Sequence, residues 1–171
     1  MSSTTQLPDP RVIITGHTAD GISVFTNDDA RAPFAPFGPA GPRFTSIHTS
    51  PIVPVLNTSP LPDLSNALPR CPPAGVLFCT TDMPAGSKMP PMHRTLSVDY
   101  AVVLSGEIVC ALDGGEEKTI HAGEFIVQRG TNHAWCNRGE EPCRILFVMV
   151  GAEKVVLESG EALEETVFQK K

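Results

Sequence analysis

Two histidines and one acidic residue, His93, Asp99 and His133, are the side chains whose types and positions best suit chemistry. Two imidazoles and a carboxylate can hold a divalent transition metal and leave coordination positions open for a ligand. The same groups can move protons without a metal, since imidazole titrates near neutral pH. The residue types alone therefore leave both kinds of chemistry open.

The segments that carry these residues have the pattern of short β-strands. After residue 75, apolar runs alternate with turns rich in Gly and charge, and we expect strands in VLFCTTD, DYAVVLS, EIVCALD, KTIH, EFIVQ, HAWCN and CRILFVMV. Residues of equal parity share one face of a strand, so His93 is expected beside Thr95. By the same rule His133 shares its face with Trp135 and Asn137. Short strands at this spacing predict an all-β antiparallel barrel or sandwich.

Proline divides the chain into two parts, because 16 of the 17 prolines lie at or before Pro91. Residues 1–74 predict an N-terminal arm with short edge strands packed on a barrel, including a hairpin of RVIITGHT and GISVFTND and a short strand in IVPVL. Residues 75–171 predict the barrel, and the two parts form one domain. The segment PFAPFGPAGP fits either a linker or an ordered arm, and the tail EALEETVFQK predicts a short C-terminal helix.

Two motifs, in the correct order, resemble those of the cupin family. The first, G-x5-H-x-H-x(3,4)-E-x6-G, is matched with one extra residue before its first His by Gly86, His93, Thr95, Asp99 and Gly106. Here Thr stands at the second His and Asp at the Glu. The second, G-x5-P-x-G-x2-H-x3-N, resembles GEFIVQRGTNHAWCN, with Gln in place of Pro and a first interval one residue shorter; its matching residues are Gly123, Gly130, His133 and Asn137. MHRTxSxDY together with VQRGTNHAWxN is similar to a subgroup of small single-domain cupins from bacteria and fungi.

This resemblance covers about residues 75–150 and implies a small jelly-roll barrel that forms a homodimer. Cupins with the full motif hold a metal with three His and one Glu, so His93, Asp99 and His133 stand at positions of that ligand set. Fungal members of the subgroup resemble tailoring enzymes of secondary metabolism. Because cupins host many functions, the resemblance does not name a reaction.

Our leading hypothesis is a lyase or isomerase that acts on a small oxygenated organic molecule by acid–base catalysis. His93 and His133 would serve as base or acid, and Asp99 would orient an imidazole. Dehydration, decarboxylation and isomerisation are all within reach of such a set, and no cofactor is required. Four residues are expected to bind the substrate: Thr95, Arg129, Asn132 and Trp135.

Two alternatives remain open. In the first, a single divalent transition metal, Fe(II), Mn, Ni or Zn, is held by His93, Asp99 and His133 in a dioxygenase-type cupin. Against a tight site, Thr is a poor ligand for such ions and Asp is one methylene shorter than Glu. In the second, the protein is a small-molecule-binding cupin without catalysis, and His93 and Asp99 form a buried hydrogen-bonded pair.

Composition limits the partners of the chain. A formal net charge of −6 argues against nucleic acid and anionic membranes. No apolar run approaches the roughly 20 residues that cross a bilayer, and the N-terminus lacks the pattern of a secretory signal. The five cysteines lack C-x-x-C spacing, which favours reduced thiols. We therefore expect a cytoplasmic protein whose partner is a small-molecule substrate.

Overall fold

The described part of the chain contains ten β-strands and no helix. The computed structural model describes residues 6–87 and 91–167. The strands are β1 (Arg11–His17), β2 (Ser23–Ala30), β3 (Arg43–Ser50), β4 (Val76–Met83), β5 (Ser97–Ser105), β6 (Glu107–Leu112), β7 (Glu117–His121), β8 (Phe125–Arg129), β9 (His133–Cys136) and β10 (Cys143–Gly151). Within these ranges there is accordingly no helix that could span a bilayer. The predicted all-β class is confirmed.

Two antiparallel sheets enclose the core. One has the strand order β3-β4-β10-β5-β8 and the other the order β7-β6-β9. Every second side chain of β10 points inward and is buried: Cys143, Ile145, Phe147 and Met149. Across the core the ring of Phe147 meets that of Trp135 on β9, edge to face, with centroids 5.7 Å apart. The jelly-roll barrel is thus confirmed, with an apolar centre built from both sheets.

Gly106 connects the two sheets, because it is the single residue between β5 and β6. Its φ angle is 71°, which favours glycine. A Cβ at this position would lie 2.8 Å from the carbonyl oxygen of Pro142. The sharp passage from one wall of the barrel to the other therefore requires a residue without a side chain.

The N-terminal arm contributes directly to the barrel. β1 and β2 form the predicted hairpin, whereas β3 is an edge strand of the five-stranded sheet. The PFAPFGPAGP segment is ordered on β3, since Phe34 and Phe44 exchange backbone hydrogen bonds and Phe37 packs edge-on against Phe44. In the IVPVL segment only an isolated bridge from Ile52 to Ala74 forms, so the strand expected there is absent.

An ion pair on the outer face of the five-stranded sheet holds the start of the arm. Arg144 binds the carboxylate of Asp82 with two hydrogen bonds of 2.6 and 2.7 Å, and both side chains are largely buried. The same guanidinium donates to the carbonyl oxygen of Pro8 at 2.7 Å. Nearby, Arg43 binds the carboxylate of Asp9 at 3.1 Å. The arm therefore covers charges that would otherwise face water.

The predicted C-terminal helix is wrong for residues 161–167, and residues 168–170 lie outside the described ranges. The chain turns back at Gly160, whose φ is 85°, and Val156 bridges Ala162. The backbone N–H groups that a helix would use make other hydrogen bonds, some within this turn and one to Arg94. Thr166 donates its N–H to the Arg94 carbonyl oxygen, and the Arg94 N–H bonds to Thr166 Oγ1 at 2.9 Å. The tail thus clamps the segment next to His93.

Candidate functional site

His93 and His133 form a facing pair of imidazoles. His133 opens β9, and His93 lies in the segment before β5, where each residue donates its backbone N–H to the other's carbonyl oxygen. Their ring centroids are 4.4 Å apart. The indole of Trp135 stands edge-on to His133 at 5.9 Å. The backbone bridge thus places two basic side chains and one aromatic wall together.

Both imidazoles have a defined tautomer. Nδ1 of His93 lies 3.2 Å from the carbonyl oxygen of Pro91, and Nδ1 of His133 lies 3.0 Å from that of Thr131. A carbonyl oxygen only accepts, so each Nδ1 carries a proton and each neutral ring keeps its lone pair on Nε2. Burial lowers the pKa of His133 to about 4; its bond to Thr131 opposes this, while the charge of His93 adds to it. His133 is therefore a neutral base at neutral pH.

Asp99 lies on the opposite wall of the barrel, on β5, and is 3% exposed. Its Oδ1 accepts a hydrogen bond from Ser97 Oγ at 2.5 Å, and its Oδ2 accepts one from Gln128 Nε2 at 3.1 Å. Ser97 Oγ also lies 3.0 Å from Thr95 Oγ1. Burial raises the pKa of Asp99 to about 6, although the bond from Ser97 opposes the shift. Asp99 is thus a buried carboxylate that titrates close to neutrality.

Two groups therefore form where the sequence predicted one. The histidine pair belongs to the β9 side of the barrel, whereas Asp99 is bonded to Ser97 and Gln128. The expectation that Asp99 orients an imidazole is not met, since backbone carbonyls orient both rings. Both partners of Asp99 lie on its own sheet, Ser97 on β5 and Gln128 on the neighbouring β8.

The three residues do not fit a metal centre as a set. Among residues 6–87 and 91–167, no group of three His, Cys, Asp or Glu side chains is placed to hold an ion. Both oxygens of Asp99 already accept hydrogen bonds, one from Ser97 and one from Gln128. The two imidazoles, with Nε2 lone pairs, are suitable ligands, but the third protein ligand is missing from the described chain.

Two of the predicted substrate-binding residues, Thr95 and Arg129, line one cavity of about 180 Å³ at the end of the barrel. The exposed side chain of Arg129 has the opposite parity to inward-facing Gln128, so it lies outside the barrel interior. Trp135 is 8% exposed and packs against both His133 and the core residue Phe147. The contact of Asn132 is made by its backbone, because its carbonyl oxygen accepts a hydrogen bond from the N–H of Asp113.

Sequence reasoning gave too little weight to Ser97 and Gln128. Ser97 could have been found from the alternation of β5, because it lies two residues before Asp99 and therefore on the same face of the strand. Gln128 could not be found in this way, because its role depends on the register between β5 and β8. That register pairs Gln128 with Asp99, and the sequence does not specify it. Gln128 Oε1 is buried and has no hydrogen-bond partner among the described residues. Asn137, expected beside His133, instead binds the backbone of Met83 and Glu141.

Comparisons with known proteins identify the family of the chain. The family described as Cupin domain matches residues 79–149. Phomopsin biosynthesis cluster protein C' of Diaporthe leptostromiformis is 36% identical over 90% of this chain and 84% of the relative. The Cupin-domain-containing oxidoreductase virC of Hypocrea virens is 30% identical over 88% of this chain and 80% of the relative. The solved polyketide cyclase RemF from Streptomyces resistomycificus covers 81% of both chains at 17% identity, with a TM-score of 0.48. By its family match and these relatives, the chain belongs to the cupin family.

Proposed function

We propose that this cupin is an acid–base enzyme, a lyase or isomerase, acting on a small oxygenated organic molecule without a metal. The observation that carries the proposal is the facing pair of His93 and His133, each with Nδ1 bonded to a carbonyl. This tautomer puts the lone pair of each ring on Nε2, the atom that would act as a general base. No other described pair of side chains combines this proximity with this tautomer.

The pair suits a reaction that removes one proton and returns another. Two imidazolium ions this close repel each other, so the pair holds one proton more readily than two. Nε2 of one imidazole takes a proton from the carbon next to a carbonyl, while the other ring, when protonated, donates to the leaving hydroxyl or to the enolate. Proton abstraction followed by loss of hydroxide releases water, and abstraction followed by reprotonation gives an isomer.

Polar groups of the opposite wall support an oxygenated substrate. The unpartnered Oε1 of Gln128 is costly unless something donates a hydrogen bond to it, and a substrate hydroxyl would do so. Asp99, bonded to the same amide, supplies a second titratable group facing the interior. We assign it the role of an acid–base group on this wall, not that of an orienter of histidine.

The relatives favour a place in secondary metabolism. Two of them carry names of biosynthesis cluster proteins in Diaporthe leptostromiformis. The patterns MHRTxSxDY and VQRGTNHAWxN are similar to those of a subgroup of small cupins whose fungal members resemble tailoring enzymes. We infer that the substrate is an intermediate with a hydroxyl and a carbonyl group, of the kind such pathways modify.

Solvent deuterium provides a direct test. The purified protein is incubated in D2O with a panel of small hydroxy acids, ketones and polyketide-like compounds, with and without chelator, and products are followed by NMR and mass spectrometry. We expect deuterium at a carbon next to a carbonyl, in at least one compound, at a rate that chelator does not change. His133→Gln and His93→Gln should slow it by roughly 10²- to 10⁴-fold. His121→Gln, at an exposed histidine outside the pair, should leave it intact.

A second candidate is a metal-dependent oxidoreductase. Several relatives are named cupin-domain-containing oxidoreductases, and the two imidazoles would supply two ligands. Elemental analysis of protein purified without chelator separates the candidates. One bound transition metal per chain, lost in His133→Gln together with an O2-dependent activity, would replace the proposal. Ligand binding with no turnover would instead indicate a binding protein.

We infer that the assembly is a homodimer. The outer face of β5 and β8 exposes four apolar side chains, Tyr100, Leu104, Phe125 and Val127. β8 is also an edge strand of its sheet, and no strand of the described chain pairs with its outer row of backbone groups. The β1–β2 hairpin exposes a second apolar set, Ile13, Ile22, Val24 and Phe25. A second copy of this chain would cover both, since apolar patches joined to a free edge are otherwise sites of aggregation.

A further inference from the structure

Arg129 differs from every other arginine of the described chain, because its side chain has no bonding partner there. The others each form a hydrogen bond or an ion pair with a carbonyl or carboxylate oxygen: Arg11, Arg31, Arg43, Arg70, Arg94, Arg138 and Arg144. The forked N–H donors of the Arg129 guanidinium are therefore available to a ligand.

Arg129 lines the cavity of about 180 Å³ at the end of the barrel, which we call the end cavity. The walls of the end cavity come from residues 94–98, from Arg129 and Gly130, and from the chain that follows β10. Taking about 30 Å³ as the share of one liquid water, the cavity has room for about six non-hydrogen atoms of a ligand. It is thus large enough for a small organic molecule.

A second arginine, Arg94, lines the same cavity and lacks a close counter-charge. Its side chain is 17% exposed, and its Nε donates to the carbonyl oxygen of Gly130 at 3.0 Å. Its Nη2 lies 4.0 Å from Oδ2 of Asp113, which is too far for a hydrogen bond. A largely buried cation whose hydrogen bond goes to a neutral carbonyl favours an anion nearby.

Acidic residues oppose these two cations only in part. Glu153 is the acidic member of the cavity lining, and it is exposed to solvent. Asp99 does not line the cavity, and both of its oxygens already accept hydrogen bonds. Because the whole chain carries a net charge of −6, it repels anions in general. An anion that binds is therefore expected where arginines lie together, as they do here.

The remaining lining of the end cavity suits a carbon chain. Four apolar residues contribute to it: Leu96, Val98, Ala152 and Val155. An inorganic anion would leave these residues without a partner, whereas the alkyl part of an organic acid would cover them. The lining as a whole therefore matches a ligand with an anionic head and a short apolar chain.

We propose that the end cavity binds the carboxylate of a short-chain organic acid, with Arg129 as its bidentate partner and Arg94 as a second positive charge. A guanidinium and a carboxylate can form two parallel N–H···O bonds, which gives Arg129 the larger share of recognition. Since Arg129 lies outside the barrel interior, this site is separate from the histidine pair. The inference goes beyond the proposed function and requires no turnover.

An NMR titration of 15N-labelled protein tests the site directly. The probe is butyrate, whose size matches the cavity, and the signals followed are Nε–H of Arg129 and the backbone N–H of Gly130. Butyramide has the same shape without the charge, and inorganic phosphate has the charge without the carbon chain. The Arg129 signal is assigned with Arg129→Gln.

We expect saturable binding of butyrate with a Kd of about 1–10 mM, a range within reach of so small a ligand. Arg129→Gln should weaken it about tenfold, the usual effect of losing a hydrogen bond to a charged group. Arg129→Lys should bind with intermediate affinity, because it keeps the charge but not the fork. Glu153→Gln should bind more tightly, since it removes the opposing charge from the lining.

Two further variants serve as matched controls. Arg138→Gln removes a surface arginine that is paired with Glu117, and it should keep the wild-type affinity. His133→Gln alters the histidine pair and should also bind butyrate as the wild type does, so this test is distinct from that of the enzyme activity.

Several results would overturn the site. These are an absence of saturable binding up to roughly 100 mM, far above the expected Kd, equal affinity for butyramide, and tighter binding of phosphate than of butyrate. Wild-type affinity in Arg129→Gln, or an equal loss in Arg138→Gln, would count against the role of Arg129. Loss of butyrate binding in His133→Gln would place the ligand in the barrel interior instead.

Discussion

The imidazoles of His93 and His133 are held together by their backbones, since each residue donates its N–H to the other's carbonyl oxygen, at 2.9 and 3.0 Å. Side-chain packing is therefore not needed to bring the two residues together. A substitution of one ring should leave the backbone bridge and the position of the other ring intact. The pair can thus be tested chemically with little damage to the fold.

The first prediction concerns activity. His133→Gln should lower kcat by roughly 10²- to 10⁴-fold, the usual contribution of one general acid or base. Its thermal unfolding at pH 7 should change little, because the bridge uses main-chain atoms. The measurement is kcat on the substrate found in D2O, together with a melting curve. An unchanged kcat would remove His133 from the reaction.

The second prediction concerns stability against pH. The pKa of Asp99 is raised from 3.8 to about 6 and that of His133 is lowered from 6.5 to about 4, each corresponding to about 3 kcal/mol. From pH 4 to 6 the folded protein keeps the Asp99 proton that the unfolded chain loses, so this group lowers stability as pH rises. Over the same range the unfolded chain holds the His133 proton that the folded protein lacks, so this group raises stability. We expect the two effects to offset each other.

Single variants should expose each half of this balance. Between pH 4 and 6 the free energy of unfolding of the wild type should stay nearly constant. Over this interval that of His133→Gln should fall by about 3 kcal/mol, and that of Asp99→Asn should rise by about as much. Urea denaturation at several pH values measures both. Parallel curves for the wild type and the two variants would contradict the opposed titrations.

The third prediction concerns the ion pair of Asp82 and Arg144. Asp82→Asn should cost about 3–5 kcal/mol, because it leaves a largely buried guanidinium without its carboxylate. The double variant Asp82→Leu/Arg144→Met should recover most of this loss. The matched control is Glu117→Gln, which breaks an equally bidentate pair with Arg138 at the surface and should have only a slight effect. Equal losses at the two pairs, in urea denaturation, would count against the role of burial.

The fourth prediction concerns assembly. Phe125→Asp places a charge on the exposed face of β8 and should convert a dimer to a monomer in light scattering after gel filtration. Leu56→Asp, at an exposed apolar residue outside that face and the hairpin, should remain a dimer. A wild-type monomer at micromolar concentration would rule out the proposed homodimer.

The fold was largely predictable, because alternation is a local property of the sequence. The buried positions of β5 and β10 follow it residue by residue, and the β1–β2 hairpin follows its turn residues. The C-terminal tail was misread because EALEETVFQK has good helix formers, whereas tertiary hydrogen bonds to Arg94 use its backbone. Local propensity could not include that partner.

The site was predictable only in part. His133 and Trp135 were placed correctly together, since both belong to one strand. The bond of Asp99 to Gln128, in place of the expected one to an imidazole, depends on the register between β5 and β8. Strand ends and registers are set by pairing across the sheet, which a single sequence records poorly.

The clamp between Thr166 and Arg94 has a consequence for the order in which the protein matures. The two residues are 72 positions apart in the chain, and the segment that they join carries His93. During synthesis the earlier strands leave the ribosome long before Thr166 does. A nascent chain can therefore build much of its barrel, including the backbone bridge between His93 and His133, before Thr166 fastens the neighbouring Arg94.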